Sequence, residues 1–231
     1  MHIDSWMASF FSNEQAVLPA ALAQYAGLYA AWALVLVWGV SALSTRWGLR
    51  SRLGVMVAVA VMTLVPGRSS PAYWLGLAFQ SPSLTTVLLA AYSLWRIARA
   101  MPTSRSAGWS RCELTVCGLG VGLGWLLLLD TLAWWPVSLY AWGFSPAAVA
   151  GLALAVALGW AIAGGAHKNQ ALGLVWGLPA LVLALFVVTR WPSGNVWDAL
   201  LDPWLWVGLQ LVLLVSGLRA WRQRGAPATP A

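Results

Sequence analysis

The sequence predicts an all-α fold, a polytopic transmembrane helical bundle of seven spans, N-out and C-in. Three observations carry this. First, hydrophobic residues are 61% of the 231 and charged residues 8%, against about 45–50% and about 25% in ordinary soluble domains. Thirteen basic and six acidic residues are too few to cover the surface of a water-soluble fold of this length. That excludes a soluble enzyme, a nucleic-acid reader and a disordered tail. Second, apolar runs near the length of a membrane crossing, roughly 20 residues, recur along the chain. Third, the charges sort by loop. With seven spans, Arg46, Arg50, Arg52, Arg96, Arg99, Arg105, Arg111, Lys168, Arg219, Arg222 and Arg224 fall on one side. Asp4, Glu14, Asp130, Asp198 and Asp202 fall on the other with Arg68 and Arg190, and Glu113 alone breaks the acid pattern. Basic loops stay inside, which sets the orientation, and an even number of spans would scatter these charges.

The spans expected in order are 17–43, 53–65 (short), one within 73–94 interrupted by Pro82, 114–129, 144–163, 171–189 and 204–218, the last with an approach from Trp197. Residues 1–15 carry Asp4 and Glu14 and no Lys or Arg, the wrong charge for a signal peptide, so the first span is expected to stay in the mature protein. A helical bundle of this kind fits an inner or plasma membrane and not an outer-membrane barrel. Residues 1–231 read as one transmembrane domain.

Within it, two triplets of spans resemble each other, 17–99 and 144–224, joined by a glycine-rich linker helix at 112–130. Each second helix ends at a lone outer arginine, Arg68 or Arg190, followed by Trp74 or Trp197. Next comes a helix-start pattern, Ser81-Pro82-Ser83-Leu84 or Asp202-Pro203-Trp204-Leu205. In such a start the Ser or Asp side chain accepts a free N–H of the first turn, and Pro at N1 has no N–H to orphan. The stretches before them, 71–80 and 193–201, are expected as short outer helices, on the surface or re-entrant. Three spans per copy would make the repeat parallel, a topology also found among sugar transporters of the SWEET type. The likeness is one of topology alone, with no shared motif.

The linker is expected at the centre, clasped by the triplets. Gly118, Gly120, Gly122 and Gly124 leave opposite sides of it bare, so neighbouring backbones can approach closely. The competing reading is a seam to a second copy or another subunit. Cys112 and Cys117 read as buried free thiols. Most of the eighteen tryptophans sit at span ends, as an aromatic belt requires, with an outer excess that also suits a binding platform; Trp32, Trp38, Trp125, Trp160 and Trp176 lie deeper.

Almost no ionisable residue falls inside a span, where such groups usually mark function. No proton-relay carboxylate pair, metal-ligand set, haem ligand pair or catalytic triad is legible, so neither a cofactor nor a metal is expected. The main polar grouping is the outer rim: Arg68, Trp74, Asp130, Arg190, Trp197, Asp198 and Asp202. The structural account of these residues is mutual salt bridges; the functional account is a polar vestibule for substrate. Two functions follow. The first is a non-catalytic subunit or assembly factor of a larger membrane complex. The second is a carrier or channel for a small neutral or weakly polar solute. A lipid-linked-substrate enzyme using one of the three outer aspartates stays as a third. Expected partners are the lipid bilayer, other membrane subunits or a second copy, and anionic lipid at the inner arginine clusters; nucleic acid is not.

Overall fold

The computed structural model describes residues 9–13, 16–99, 109–134, 136, 138–162 and 170–224. Asp4, Glu14, Arg105 and Lys168 lie outside these residues. Among them the regular structure is helical throughout. In chain order the helices are α1 (Ala21–Leu43), α2 (Leu49–Leu64), α3 (Pro71–Phe79), α4 (Leu84–Ala98) and α5 (Arg111–Thr131). They continue with α6 (Leu139–Trp142), α7 (Pro146–Ile162), α8 (Gln170–Thr189), α9 (Val196–Leu200) and α10 (Pro203–Arg224).

Three of these, α1, α5 and α10, are long and apolar enough to cross a membrane. Helices α4 and α7 and the Trp176–Thr189 part of α8 are apolar but shorter, and α2 has Arg50 and Arg52 in its first turn. None of the apolar window of α10 is buried against protein. An uncovered apolar helix of this length is unfavourable in water and natural in lipid. The chain is therefore all-helical and compatible with membrane insertion.

Local chemistry explains where the helices begin. Ser70-Pro71 starts α3: Ser70 Oγ accepts the Ala72 N–H at 3.1 Å and Pro71 occupies N1. Ser145-Pro146 starts α7 in the same way, with Ser145 Oγ accepting from Ala148 N–H at 3.2 Å. Asp202-Pro203 starts α10, and Asp202 Oδ1 accepts the Leu205 N–H at 2.8 Å. The expected start of α4 at Ser81-Pro82 is displaced by two residues. Ser83 is the cap, accepting from Thr86 N–H at 3.1 Å. Here Pro82 precedes the cap, and the Ser83 N–H is free for Asp202. Glu113, the acid on the arginine side, completes a reciprocal capping box with Ser110 at the start of α5.

The middle of the bundle is α8, not the glycine-rich α5. Val182 and Phe186 of α8 are fully buried and Leu183 nearly so, and α8 packs against α4, α5, α7 and α9. Only Cys117 and Gly124 are buried in α5, and Cys112 is half-buried. The reason is bulk. A central helix must fill the space between its neighbours with dispersion contacts, which Val, Leu and Phe supply and glycine does not. One side of α5 is nevertheless tight. A Cβ at Gly124 would overlap the Trp206 indole, and one at Gly120 would press on Leu209. Gly118 and Gly122 face open space. The Trp206 Nε1–H donates to the Val121 carbonyl at 3.2 Å, which fixes the α5–α10 seam.

The two triplets pack differently. In the first, α4 lies on α1, which also holds α2 and α3. In the second, the main neighbour of α10 is α5.

The starts of α1, α4 and α10, the ends of α5 and α8, and the short helices α3, α6 and α9 meet at one end of the molecule. Asp130, Asp198 and Asp202 are all there. Arg46, Arg50 and Arg52 sit at the other end of α1, and Arg96, Arg99, Arg111, Arg219 and Arg222 at the far ends of α4, α5 and α10. Charge is thus largely separated along the helix axes, with Arg190 at the aspartate end and Glu113 at the other among the exceptions.

Candidate functional site

The aspartate end is built on two joints. The first ties α4 to α10. Asp202 is buried, and its Oδ2 accepts the Ser83 N–H at 2.8 Å and the Thr86 hydroxyl, while Oδ1 takes the Leu205 N–H. Two helix N-termini thereby converge on one carboxylate. Their dipoles and free N–H groups favour a negative charge in that position, which is why a buried aspartate persists without a cation.

The second joint seats α9 on the α5–α6 turn. Asp130, at the end of α5, accepts the Leu139 and Tyr140 backbone N–H groups at 3.0 and 2.7 Å. Asn195 Nδ2 donates to the Tyr140 carbonyl at 2.9 Å, and the Trp197 Nε1–H donates to the Leu139 carbonyl at 2.9 Å. Gly143 is required beneath, because a Cβ there would overlap both Trp197 and Asn195 Oδ1. Gly194 turns the chain into α9 at φ +84°, a conformation natural to glycine, against the Val17 carbonyl.

Asp198 stands where these joints meet a cavity. Its Oδ2 accepts the Tyr140 hydroxyl at 2.8 Å and the Ser193 hydroxyl. No donor among the described residues reaches its Oδ1. Burial, and then the Asp198 charge beside it, push the Tyr140 phenol above its ordinary value, so it stays a hydrogen-bond donor. The cavity holds about 720 Å³ and is lined from both halves of the chain. Gln24, Tyr25 and Leu28 come from α1, Phe79, Gln80 and Ser81 from the α3–α4 junction, and Tyr140, Asp198 and Asp202 from α6, α9 and the start of α10. Ser81 Oγ is buried in this lining with no hydrogen-bond partner among the described residues. The wall is braced from behind, since the Trp32 Nε1–H donates to the Gln80 carbonyl at 2.9 Å.

Of the residues singled out in the sequence, the structure brings Asp198 and Asp202 to the cavity and places Asp130 and Trp197 behind it. Arg68, Trp74 and Arg190 stand apart. Arg68 is exposed in the α2–α3 loop, where its carbonyl takes the Trp74 Nε1–H at 2.8 Å. Trp74 is exposed and Trp197 buried, so these matching positions have unlike surroundings. Arg190 lays its guanidinium over Phe186, 5.4 Å from the ring centre. Among the described residues neither arginine forms an ion pair with Asp130, Asp198 or Asp202. The expected salt bridges are replaced by hydroxyl and backbone N–H donors, which need no long side chain immobilised.

Sequence reasoning missed Gln24, Gln80, Ser81, Tyr140, Ser193 and Asn195. A search for ionisable groups passes over neutral amides and hydroxyls. One sign of Tyr140 was available: it follows a cap-type serine, Ser138, between the Trp134-Trp135 pair and Trp142. Chemically the site offers one exposed carboxylate oxygen, amide and hydroxyl groups, and aromatic faces. Asp202 has its oxygens engaged, so Asp198 would be a single carboxylate ligand, too few for a dedicated metal cage. No protein-family model, curated protein or solved structure matches this chain.

Proposed function

We propose that the chain is a multi-pass protein of the inner or plasma membrane that binds a small solute in the aspartate-end cavity, as a carrier or channel does at its entrance. The carrying observation is the cavity itself, lined from both ends of the sequence and polar on one wall. Its volume lies in the ordinary range for small-molecule sites, about 300–1,000 Å³. In this reading the chain crosses seven times, N-out and C-in, with α2, α4, α7 and α8 as the remaining crossings and the cavity facing outward. The arginines at the opposite ends of the helices support that orientation. The element order long, long, short, long in both α1–α4 and α7–α10 supports a 3+1+3 parallel repeat about α5.

The subunit reading retains one observation in its favour. Gly118 and Gly122 are uncovered, and a second, almost wholly apolar groove of about 580 Å³ runs between α7 and α8 past Trp160 and Trp176. Both are surfaces onto which another helix would pack.

The two readings separate in one preparation. The full chain is purified in mild detergent and screened against small solutes by thermal shift, beside the cavity-filling variant Ala21→Trp. Saturable stabilisation by a solute, lost in Ala21→Trp, supports the binding reading. A stoichiometric membrane partner, with no solute effect on either form, overturns it in favour of the subunit.

A further inference from the structure

The class of solute is written in the charge and shape of the cavity wall. Sixteen of the described residues line it, and none of these is Lys, Arg or His. Two are aspartates. Asp202 is committed to the α4–α10 joint, but among the described residues no donor reaches Asp198 Oδ1 and no arginine pairs with it. Asp130 adds a third negative charge behind Tyr140. An anion entering here would meet like charge and no counter-charge. A neutral solute would leave Oδ1 without an ionic partner.

The carboxylate is also held in place. The Tyr140 hydroxyl and Ser193 fix Oδ2, and Tyr140 is itself fixed by Asp130 and Asn195 at its backbone. Tyr25, Phe79 and Tyr140 surround the same space, and Phe79 is braced edge-on by Trp204 at 4.9 Å. Aromatic faces attract a cation that has been stripped of water. A metal ion would want several oxygens at short range, whereas this space is wide and offers one free carboxylate oxygen.

We infer that the occupant is a small organic cation of the alkylammonium class, with its charged nitrogen against Asp198 Oδ1 and its carbon groups on Tyr25, Phe79 and Tyr140. The inference rests on the reading of this cavity as a solute site and replaces the neutral solute expected from the sequence. Ser81, whose hydroxyl has no partner among the described residues, and the Gln80 amide would take up polar groups on the remainder of the ligand.

The test uses the full chain in neutral-lipid nanodiscs and three probes of nearly one shape: choline, the neutral 3,3-dimethylbutan-1-ol and the anionic 3,3-dimethylbutanoate. Binding is read by saturation-transfer NMR and calorimetry. Choline should bind at least about tenfold more tightly than the alcohol, a gap within reach of one desolvated ionic contact, and the butanoate should not saturate. Asp198→Asn should remove the gap. Because that change also touches the α6–α9 joint, Gln24→Lys is the second variant. It places a positive charge at an exposed lining position and leaves every Asp198 bond intact. Choline affinity should then fall about tenfold while alcohol affinity holds. Equal affinities for choline and the alcohol, or no response to Gln24→Lys, would overturn the cation assignment while the cavity reading stood. Saturation by none of the three would also overturn it, and the Ala21→Trp screen would then judge the cavity separately.

Discussion

Asp198 and Asp202 lie four residues apart, at the same end of the molecule, and do different work. Asp202 is buried and receives the Ser83, Thr86 and Leu205 donors on its two oxygens. Asp198 is half-buried and keeps one oxygen open to the cavity. The first carboxylate completes the fold; the second is held by the fold and left incomplete. The difference comes from what each faces. Asp202 stands at two helix starts, where unpaired N–H groups are dense. Asp198 is in the first turn of the five-residue helix α9, turned towards hydroxyls on one side only.

The largest effect should come from Asp202→Ala. It strands two backbone N–H groups and a threonine hydroxyl, and a loss of about 3 kcal/mol is expected, since each buried unsatisfied group costs about 1–3 kcal/mol. Thermal unfolding in detergent should show this, whereas Asp198→Ala should lower the midpoint far less. Equal destabilisation would erase the distinction between the two residues.

Next is the α5–α10 seam. Gly124→Leu should cost about 2 kcal/mol, in the range of overpacked positions, because the Trp206 indole fills the space above it. Gly122→Leu, on the open side of the same helix, should leave the unfolding midpoint within error. A large effect at Gly122 in a purified monomer would mean that a neighbour covers that face.

A smaller effect should appear at alkaline pH. In the folded chain the Tyr140 phenol holds its proton more strongly than in the unfolded chain, whose value is about 10. Stability from this group is therefore intact below about pH 10 and declines as pH rises from there towards the folded value. The wild-type unfolding midpoint should fall more steeply between about pH 10 and 11 than that of Tyr140→Phe. Identical slopes would place Tyr140 in contact with water and not against Asp198. The smallest expected change is Ser110→Ala, about 1 kcal/mol from the lost cap of α5, with no effect on solute binding.

The sequence revealed the helices better than their packing. The apolar runs located most of the long helices to within a few residues, but placed α4 only somewhere within 73–94 and ended α10 six residues early; the stretches before Ser83 and Asp202 contain the short α3 and α9, because caps and prolines act through local bonds. The start of α4 was read at Ser81-Pro82, and its place at Ser83 goes with the bond that the Ser83 N–H gives to Asp202, 119 positions away. Glycine spacing in α5 showed where backbones can approach but not which helix fills the centre, since that is decided by side-chain volume on α8. At the site, the aspartates were legible as acids on a basic chain. Their roles were not, because they depend on which donors the fold delivers. Arg68 and Arg190 seemed natural partners by charge, yet backbone and hydroxyl groups were nearer to hand.

The α4–α10 joint also limits how the molecule can deform. With both helix starts pinned to one carboxylate, α4 and α10 cannot slide past each other without breaking two bonds at once. Any relative movement must swing about that point, and its amplitude grows with distance along the helices. The hinge would stay shut at the aspartate end, and the arginine-bearing tips would travel furthest.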